Sequence, residues 1–298
     1  MTIASEIIKL NTNLGAAYTA VDGKGGTLPV SQNFDNLATA ISSIPSEGGV
    51  GIPREVKNGV YQCPTENFTF SLPSNVTDIG SSALNSAFYS CTGLTNVDLS
   101  SLTTVSGTSA LNNAFGYCSA LNNVDLSSLT TVSGISGLYY TFNNSNLKNI
   151  DLSSLTTVSG QNAFYQAFGY TSLTSISFPA LTTISGNNGF SSALHYCTEL
   201  TNVSFPALTT VTGSHALQYA FNYDRKISSI SFSALTTSSF GSRTNQFSGM
   251  MRNTDSNTTH TIHFPSNMES TISGLDSYPL FGGTSGYVVL AFDLPATS

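Results

Sequence analysis

Charge is the scarcest commodity in this chain: only 8% of its 298 residues are Asp, Glu, Lys or Arg, about a third of the share in an ordinary soluble domain. The nine Lys and Arg are scattered and the formal net charge is -7. That excludes phosphate-backbone binding, which needs clustered positive charge. Tryptophan is absent, so the broadest stacking side chain is missing. No apolar run approaches the ~20 residues of a membrane span, and the start MTIASEIIKL lacks a basic segment followed by an apolar core. Neither a membrane anchor nor a secretory signal is expected. Cysteine is sparse at four, and Cys91, Cys118 and Cys197 share one place in a repeat, which predicts buried free thiols rather than bridges.

Catalytic patterns are missing too. There is no P-loop, no G-x-S-x-G, no H-E-x-x-H and no C-x-x-C, so neither an enzyme nor a cofactor is expected. His260 and His263 stand three apart on an alternating segment and face opposite sides, which speaks against a metal pair. His195 and His215 read as surface residues. A glycan-processing enzyme is the alternative of a different class; it would need paired carboxylates facing each other across a groove.

What is abundant is repetition. The segment LTNVDLSSLTTVSG from Leu94 returns at Leu121, Leu147, Leu173, Leu200 and Ile227, at intervals of 26 or 27 residues. That is the period of a solenoid. A diverged first copy holds Phe70, Leu72, Val76, Ile79 and Gly80, and a last fragment holds Ile262, Phe264, Met268 and Ile272, as capping coils should. Apolar pairs two apart, such as Val97 and Leu99 or Ile176 and Phe178, predict a short strand with one face inward. A glycine recurs at Gly80, Gly107, Gly134, Gly160, Gly186 and Gly213 and reads as a corner with positive φ. Eight residues on comes Phe88, Phe115, Phe142, Phe168, Leu194 or Phe221, preceded at spacings of 1 and 4 by residues such as Leu84 and Ala87, which predicts a short helical turn.

The fold class expected is therefore an α/β repeat solenoid, leucine-rich-repeat-like and right-handed, with a parallel sheet on one side and short helical turns on the other. Ile3, Ile7, Leu10 and Leu14, then Phe34, Leu37 and Ile41, form two apolar helical stripes around a DGKGGTLPV break and predict an N-terminal helical hairpin. The expected organisation is a hairpin over 1–45, a linker and lead-in over 46–66, the solenoid over 67–272, and a closing strand over 273–298. The terminal LPATS has Ser298 where a sortase signal needs glycine, and no apolar tail follows.

Two ladders on the outside are candidate binding features. Asp98, Asp125 and Asp151 stack at one register, where like charges about 4.8 Å apart repel by roughly 1 kcal/mol per pair. Asn96, Asn123 and Asn149 beside them are expected to donate hydrogen bonds that offset it, with a solvated acidic stripe favoured over a cation site. The second ladder is aromatic. Tyr117, Tyr170, Tyr196 and Tyr223, with Tyr140 and Tyr219, offer apolar faces with polar tips, suited to sugars or protein loops.

The string formed by Ala87, Phe88, Cys91, Leu94, Val97 and Leu99, repeated from Ala114 through Leu126, resembles the BspA-type leucine-rich repeats of bacterial surface proteins over residues 67–272. The family's strand ends in proline, present at Pro73, Pro179, Pro206 and Pro265 and replaced at Ser100, Ser127 and Ser153, which marks a variant branch. The resemblance implies ligand or surface binding and carries no catalytic residue. The segment from Ala20 to Ile44 resembles N-terminal attachment regions of phage and prophage tail fibres. The leading expectation is thus a virion tail protein, attached to other tail proteins through the hairpin, with a homotrimer as one assembly, that binds a host-surface protein or glycan. The alternative is a bacterial cell-surface adhesin of the BspA type.

Overall fold

The computed structural model describes residues 55–57, 60–236, 239, 245–252, 254, 259–274 and 288–296. The chain divides into Met1–Ile52 and Pro53–Ser298; the first unit, with the expected helical hairpin and its stripe residues, lies outside the described residues.

The repeat folds into a β-solenoid with parallel strands on two sides of each coil. On the first side the alternating segments become β3 (Phe68–Ser71), β4 (Leu94–Asp98), β6 (Asn123–Asp125), β8 (Asn149–Asp151), β10 (Ser175–Ser177), β12 (Asn202–Ser204), β14 (Ser229–Ser231) and β15 (His260–Pro265). Their inward residues, such as Val97, Val124, Ile176 and Val203, are buried, while Ile150 is only partly so. On the second side lie two-residue strands, β5 (Thr104–Val105), β7 (Thr131–Val132), β9 (Thr157–Val158), β11 (Thr183–Ile184) and β13 (Thr210–Val211), in one unbroken parallel sheet. The first side is divided. β3, β4, β6 and β8 form one sheet, and β10, β12, β14 and β15 form another with the edge strand β16 (Val288–Leu294). An antiparallel pair, β1 (Glu55–Lys57) and β2 (Val60–Gln62), precedes them.

The third side corrects the expectation of helical turns. Apart from a 3-10 turn at Ser266–Met268 and the six-residue α1 (Glu269–Gly274), no helix occurs among the described residues. Instead each coil carries a ribbon of four-residue turns in which every fourth residue has positive φ: Ser82, Ser86 and Ser90 in the first coil, Ser109, Asn113 and Tyr117 in the next. Backbone donors alternate in purpose. Ala83, Asn85 and Ala87 N–H groups bond to the carbonyl three residues back, whereas those of Ser82, Leu84, Ser86 and Phe88 reach Thr108, Ala110, Asn112 and Ala114 of the next coil. An α-helix turns all its bonds inward, so it cannot join its neighbour; this ribbon does, and that satisfies the backbone without a strand. Its repeat of four still places residues such as Leu84, Ala87 and Phe88 inward, which is why it is indistinguishable from a helix by apolar spacing alone.

Left-handed backbone costs a residue with a side chain about 1–2 kcal/mol, partly offset in glycine by its greater chain entropy. Replacing Gln166, at φ 49, by glycine is therefore expected to stabilise the chain by about 0.5 kcal/mol. A urea denaturation midpoint that rises at constant slope is the readout.

The recurring glycines also need a different account. None of Gly107, Gly134, Gly160, Gly186 or Gly213 has positive φ; a Cβ on each would instead come closer than 3.0 Å to the carbonyl of the glycine one coil earlier. They form a column of close backbone approach, while Gly80 at its end has nothing within 4 Å.

Phenylalanine columns fill the interior. Phe88, Phe115, Phe142 and Phe168 stack at ring separations of 5.4, 5.6 and 5.7 Å. Where that column continues as Leu194, the lost volume is recovered by Phe190 stacked on Phe164 and by a second column of Phe178, Phe205, Phe232 and Phe264. Trading volume between facing columns keeps the core close-packed.

The cysteine expectation holds in part. Cys118 and Cys197 are buried free thiols, and burial pushes Cys118 up to about 12, so it is unreactive. Cys91, however, is bridged to Cys63, with Cα atoms 5.1 Å apart. Cys91 begins the column, and its outer side meets the lead-in chain instead of another coil.

Candidate functional site

The outward residues of the first side line a shallow groove of about 1150 Å³. Register pairing places Asn96, Asn123 and Asn149 opposite one another, and likewise Asp98, Asp125 and Asp151. Beyond the division of the sheet, Ser177, Ser204 and Ser231 continue the aspartate row. The groove thus has an acidic half and a hydroxyl half.

The two rows are held differently from the expectation. Two of the asparagines donate along their own row, Asn123 Nδ2 to Asn96 Oδ1 at 2.9 Å and Asn149 Nδ2 to Asn123 Oδ1 at 3.0 Å, while Asn96 Nδ2 donates to the Thr95 hydroxyl at 3.1 Å. The aspartates are not offset by these amides. Their Oδ1 atoms accept the backbone N–H two residues on, from Ser100, Ser127 and Ser153, at 3.0, 2.9 and 2.9 Å. Such a turn fixes each carboxylate at the corner where the strand ends. The Ser100 hydroxyl, then the Ser100 N–H and the Ser71 hydroxyl, hold Asp98 below the usual carboxylate range against a small burial penalty. In the other half Ser177 and Ser204 hydroxyls pair at 2.9 Å. The three carboxylates share one sheet face, and the lining brings no opposing carboxylate to them. Among the described residues no group of three metal-ligating side chains forms.

All six candidate tyrosines fall on positive-φ positions of the turn ribbon, with φ from 53 to 66. They do not form one ladder. Tyr170, Tyr196 and Tyr223 stack at 4.8 and 4.3 Å, nearly parallel, with the half-buried His195 edge-on to all three. Tyr117 leans on Tyr89 at 5.3 Å. Tyr140 packs against Tyr139 and Tyr165, and its phenol is raised to about 12 by burial and then by neighbouring tyrosines. Tyr219 lies under the Arg252 guanidinium, 5.7 Å from the ring centre, and its hydroxyl accepts from Arg252 Nη1. Faces that stack on each other are closed to a ligand; Tyr196 is covered on both sides. Tyr117 and Tyr170 are the exposed members, at 48% and 44%.

The histidines do not form a site. His260 is buried with Nδ1 on the Ile227 carbonyl, and His263 pairs with Asp293 at 2.8 Å, so they part as alternation requires. His195 is half-buried rather than fully at the surface, and burial lowers its pKa. His215 Nδ1 lies 3.0 Å from the Ser214 hydroxyl. Sequence reasoning also missed Tyr89, Tyr139 and Tyr165. They each sit one residue before a positive-φ position, Ser90, Tyr140 and Gln166, and only the four-residue period of the ribbon shows them to be its neighbours. The attachment residues Ile3, Ile7, Leu10, Leu14, Phe34, Leu37 and Ile41 lie outside the described residues. No helix among the described residues is long and apolar enough to cross a membrane.

Among solved structures, the chain is similar to a leucine-rich-repeat protein of T. pallidum, at 20% identity and a TM-score of 0.37, over 73% of this chain and 87% of that one. A leucine-rich cell-surface protein of Faecalibacterium prausnitzii aligns at 17% identity and a TM-score of 0.24, over 74% and 78%. No match is found among curated protein sequences. The model of the BspA type leucine-rich-repeat region matches residues 55–194, 112–247 and 166–273, which together take in every coil with its strand, corner and turn ribbon. The chain therefore belongs to the BspA type leucine-rich-repeat family.

Proposed function

We propose that this protein is a non-catalytic recognition and adhesion protein of a bacterial cell surface, presenting its strand-face groove to a host-surface protein or glycan. The observation that carries this reading is the groove itself: repeated amide, carboxylate and hydroxyl groups in register along three or more coils, a surface that matches an extended partner rich in hydrogen-bond donors. The Cys63–Cys91 bridge supports an oxidising, extracytoplasmic setting. The tail-fibre reading rested on residues 1–45, which the family match does not reach, and it gives way to the cell-surface alternative.

The test is a triple variant, Asp98→Asn, Asp125→Asn and Asp151→Asn. Asparagine keeps the turn at each corner, so the fold is retained while the groove loses its charge. Binding of labelled chain to cultured epithelial cells is expected to weaken at least about tenfold and to lose its dependence on salt. Equal binding by wild type and variant at every salt concentration removes the groove from the account.

A further inference from the structure

The tyrosine column has a gap one coil wide. At the register of Tyr117 and Tyr170, the intervening coil carries Asn144, with the same positive φ of 56. The coils step regularly through it: Tyr117 N–H bonds to Asn143 O and Asn144 N–H to Gly169 O, each at 2.9 Å. The backbone positions that carry the two rings thus stand two coil spacings apart, about 9.6 Å. The Tyr117 face toward the gap has no ring on it, and neither has the Tyr170 face, which accounts for the high exposure of both. Asn144 forms the floor, its Nδ2 held by Asn143 Oδ1. Tyr140 occupies the preceding positive-φ position of the same coil, one turn of the ribbon before Asn144. No residue forming this slot is charged.

We infer that the slot between Tyr117 and Tyr170 is a binding site for one pyranose ring of a neutral sugar, clamped between the two tyrosine faces over Asn144. Two coil spacings, less about 3.5–4.0 Å of contact on each side, leave room for one ring between the two tyrosines and none for a second. The apolar faces meet the ring's C–H bonds, and the phenol of Tyr140 and the amide of Asn144 offer donors and acceptors to its hydroxyls. Backbone strain points the same way. A bulky side chain at positive φ is costly where Ser or Asn serves equally well, and three tyrosines meet that cost around this gap. The inference goes beyond the groove reading, since the slot shares no residue with the groove, and either site can fail without the other.

The decisive variant is Asn144→Tyr. The backbone there already matches that of its tyrosine neighbours, so a ring at 144 completes the column from Tyr117 to Tyr223 and fills the slot without disturbing the fold. Calorimetric titration of the full chain with lactose, maltose and N,N′-diacetylchitobiose is expected to give millimolar or tighter binding of at least one. Asn144→Tyr should abolish that binding and raise the melting temperature. Tyr117→Ala and Tyr170→Ala should each weaken it about tenfold or more, Tyr170→Phe should restore most of it, and Tyr196→Ala should leave it unchanged. Undiminished binding by Asn144→Tyr overturns the inference, as does absence of binding of all three sugars up to about 10 mM. Loss of cell binding in the groove variant with sugar binding intact would leave the slot standing.

Discussion

Replacing Gly160 by alanine is expected to destabilise the chain by about 3 kcal/mol, whereas the same change at Gly80 should move stability by no more than about 0.5 kcal/mol. Both glycines occupy the same place in the repeat. At Gly160 a Cβ runs into the Gly134 carbonyl, which is backbone and cannot swing aside; at Gly80 nothing lies within 4 Å. Relief at Gly160 would require two coils to part, and the coils there are joined by Gly160 N–H bonding to Val132 O and Ser159 N–H to the same oxygen. Urea unfolding of the two variants at constant slope measures the contrast. If the repeated glycine answered to left-handed backbone, both substitutions would cost alike. A difference of well over 1 kcal/mol between them identifies close approach as the cause.

Substituting Asp224 by threonine is expected to stabilise the chain by about 1–3 kcal/mol at pH 7. Asp224 stands in the column that begins with Cys91 and Cys118 and continues through Ser145, Thr171 and Cys197 to Thr254. It is fully buried. One oxygen accepts the Cys197 N–H at 2.6 Å, while Oδ2 has no hydrogen-bond partner. Burial raises the carboxyl well above its ordinary value, only partly countered by that one bond. Ser145, Thr171 and Thr254 show what a hydroxyl does at this place, donating to the carbonyl three residues back at 2.7, 2.8 and 2.9 Å. The Cys197 N–H keeps its second acceptor, Leu194 O, so threonine leaves no donor stranded.

The pH dependence follows from the direction of that shift. From about pH 4 upward to the raised native value, the folded chain holds a proton that the unfolded chain has released. Wild-type stability is therefore fully present below that window and declines as pH rises through it. The threonine variant lacks this decline, so its advantage should grow with pH and then level off. Unfolding midpoints of both proteins across pH 4 to 8 provide the check, and parallel curves would show that Asp224 does not titrate in that way.

The sequence made the solenoid legible because a ladder fold writes the same chemistry at the same interval, and 26 or 27 residues with an alternating apolar segment in each copy is the length of one coil. The inward residues of β4, β6 and β10 were legible for the same reason, and so were the outward rows of asparagine and aspartate. The turn ribbon was not. Apolar residues at spacings of 3 and 4 satisfy a period of 3.6 and a period of 4 equally over only three turns, and the distinguishing signal lies in the outward residues. Ser, Asn and Tyr, with Gln166 and His215, stand at the positive-φ positions 82, 86 and 90 and their equivalents, with no β-branched side chain among them, as left-handed backbone favours. The glycine column misled for a related reason: crowding from the next coil and positive φ both select glycine, and only the neighbour's position separates them.

The bridge between Cys63 and Cys91 was hidden because Cys63 lies before the repeat begins, so its partner has no periodic mark. The gap at Asn144 was visible as an interruption in a row of tyrosines, but its meaning depends on geometry. In the sequence it is one missing ring; in the fold it is the space between two uncovered ones. Asp224 likewise reads as an acidic residue beside Arg225 and Lys226, and only its register with Cys197 places it in the core.

Whether the row of carboxylates on the strand face is the contact surface is answered by carbodiimide labelling of the free chain and of the chain bound to epithelial cells, read by peptide mass spectrometry. Asp98, Asp125 and Asp151 are expected to lose most of their labelling on binding, while Glu199 and Asp293, whose side chains are 53% and 55% exposed outside the groove, label equally in both states. Equal labelling of the three groove aspartates in the free and the bound chain would contradict it.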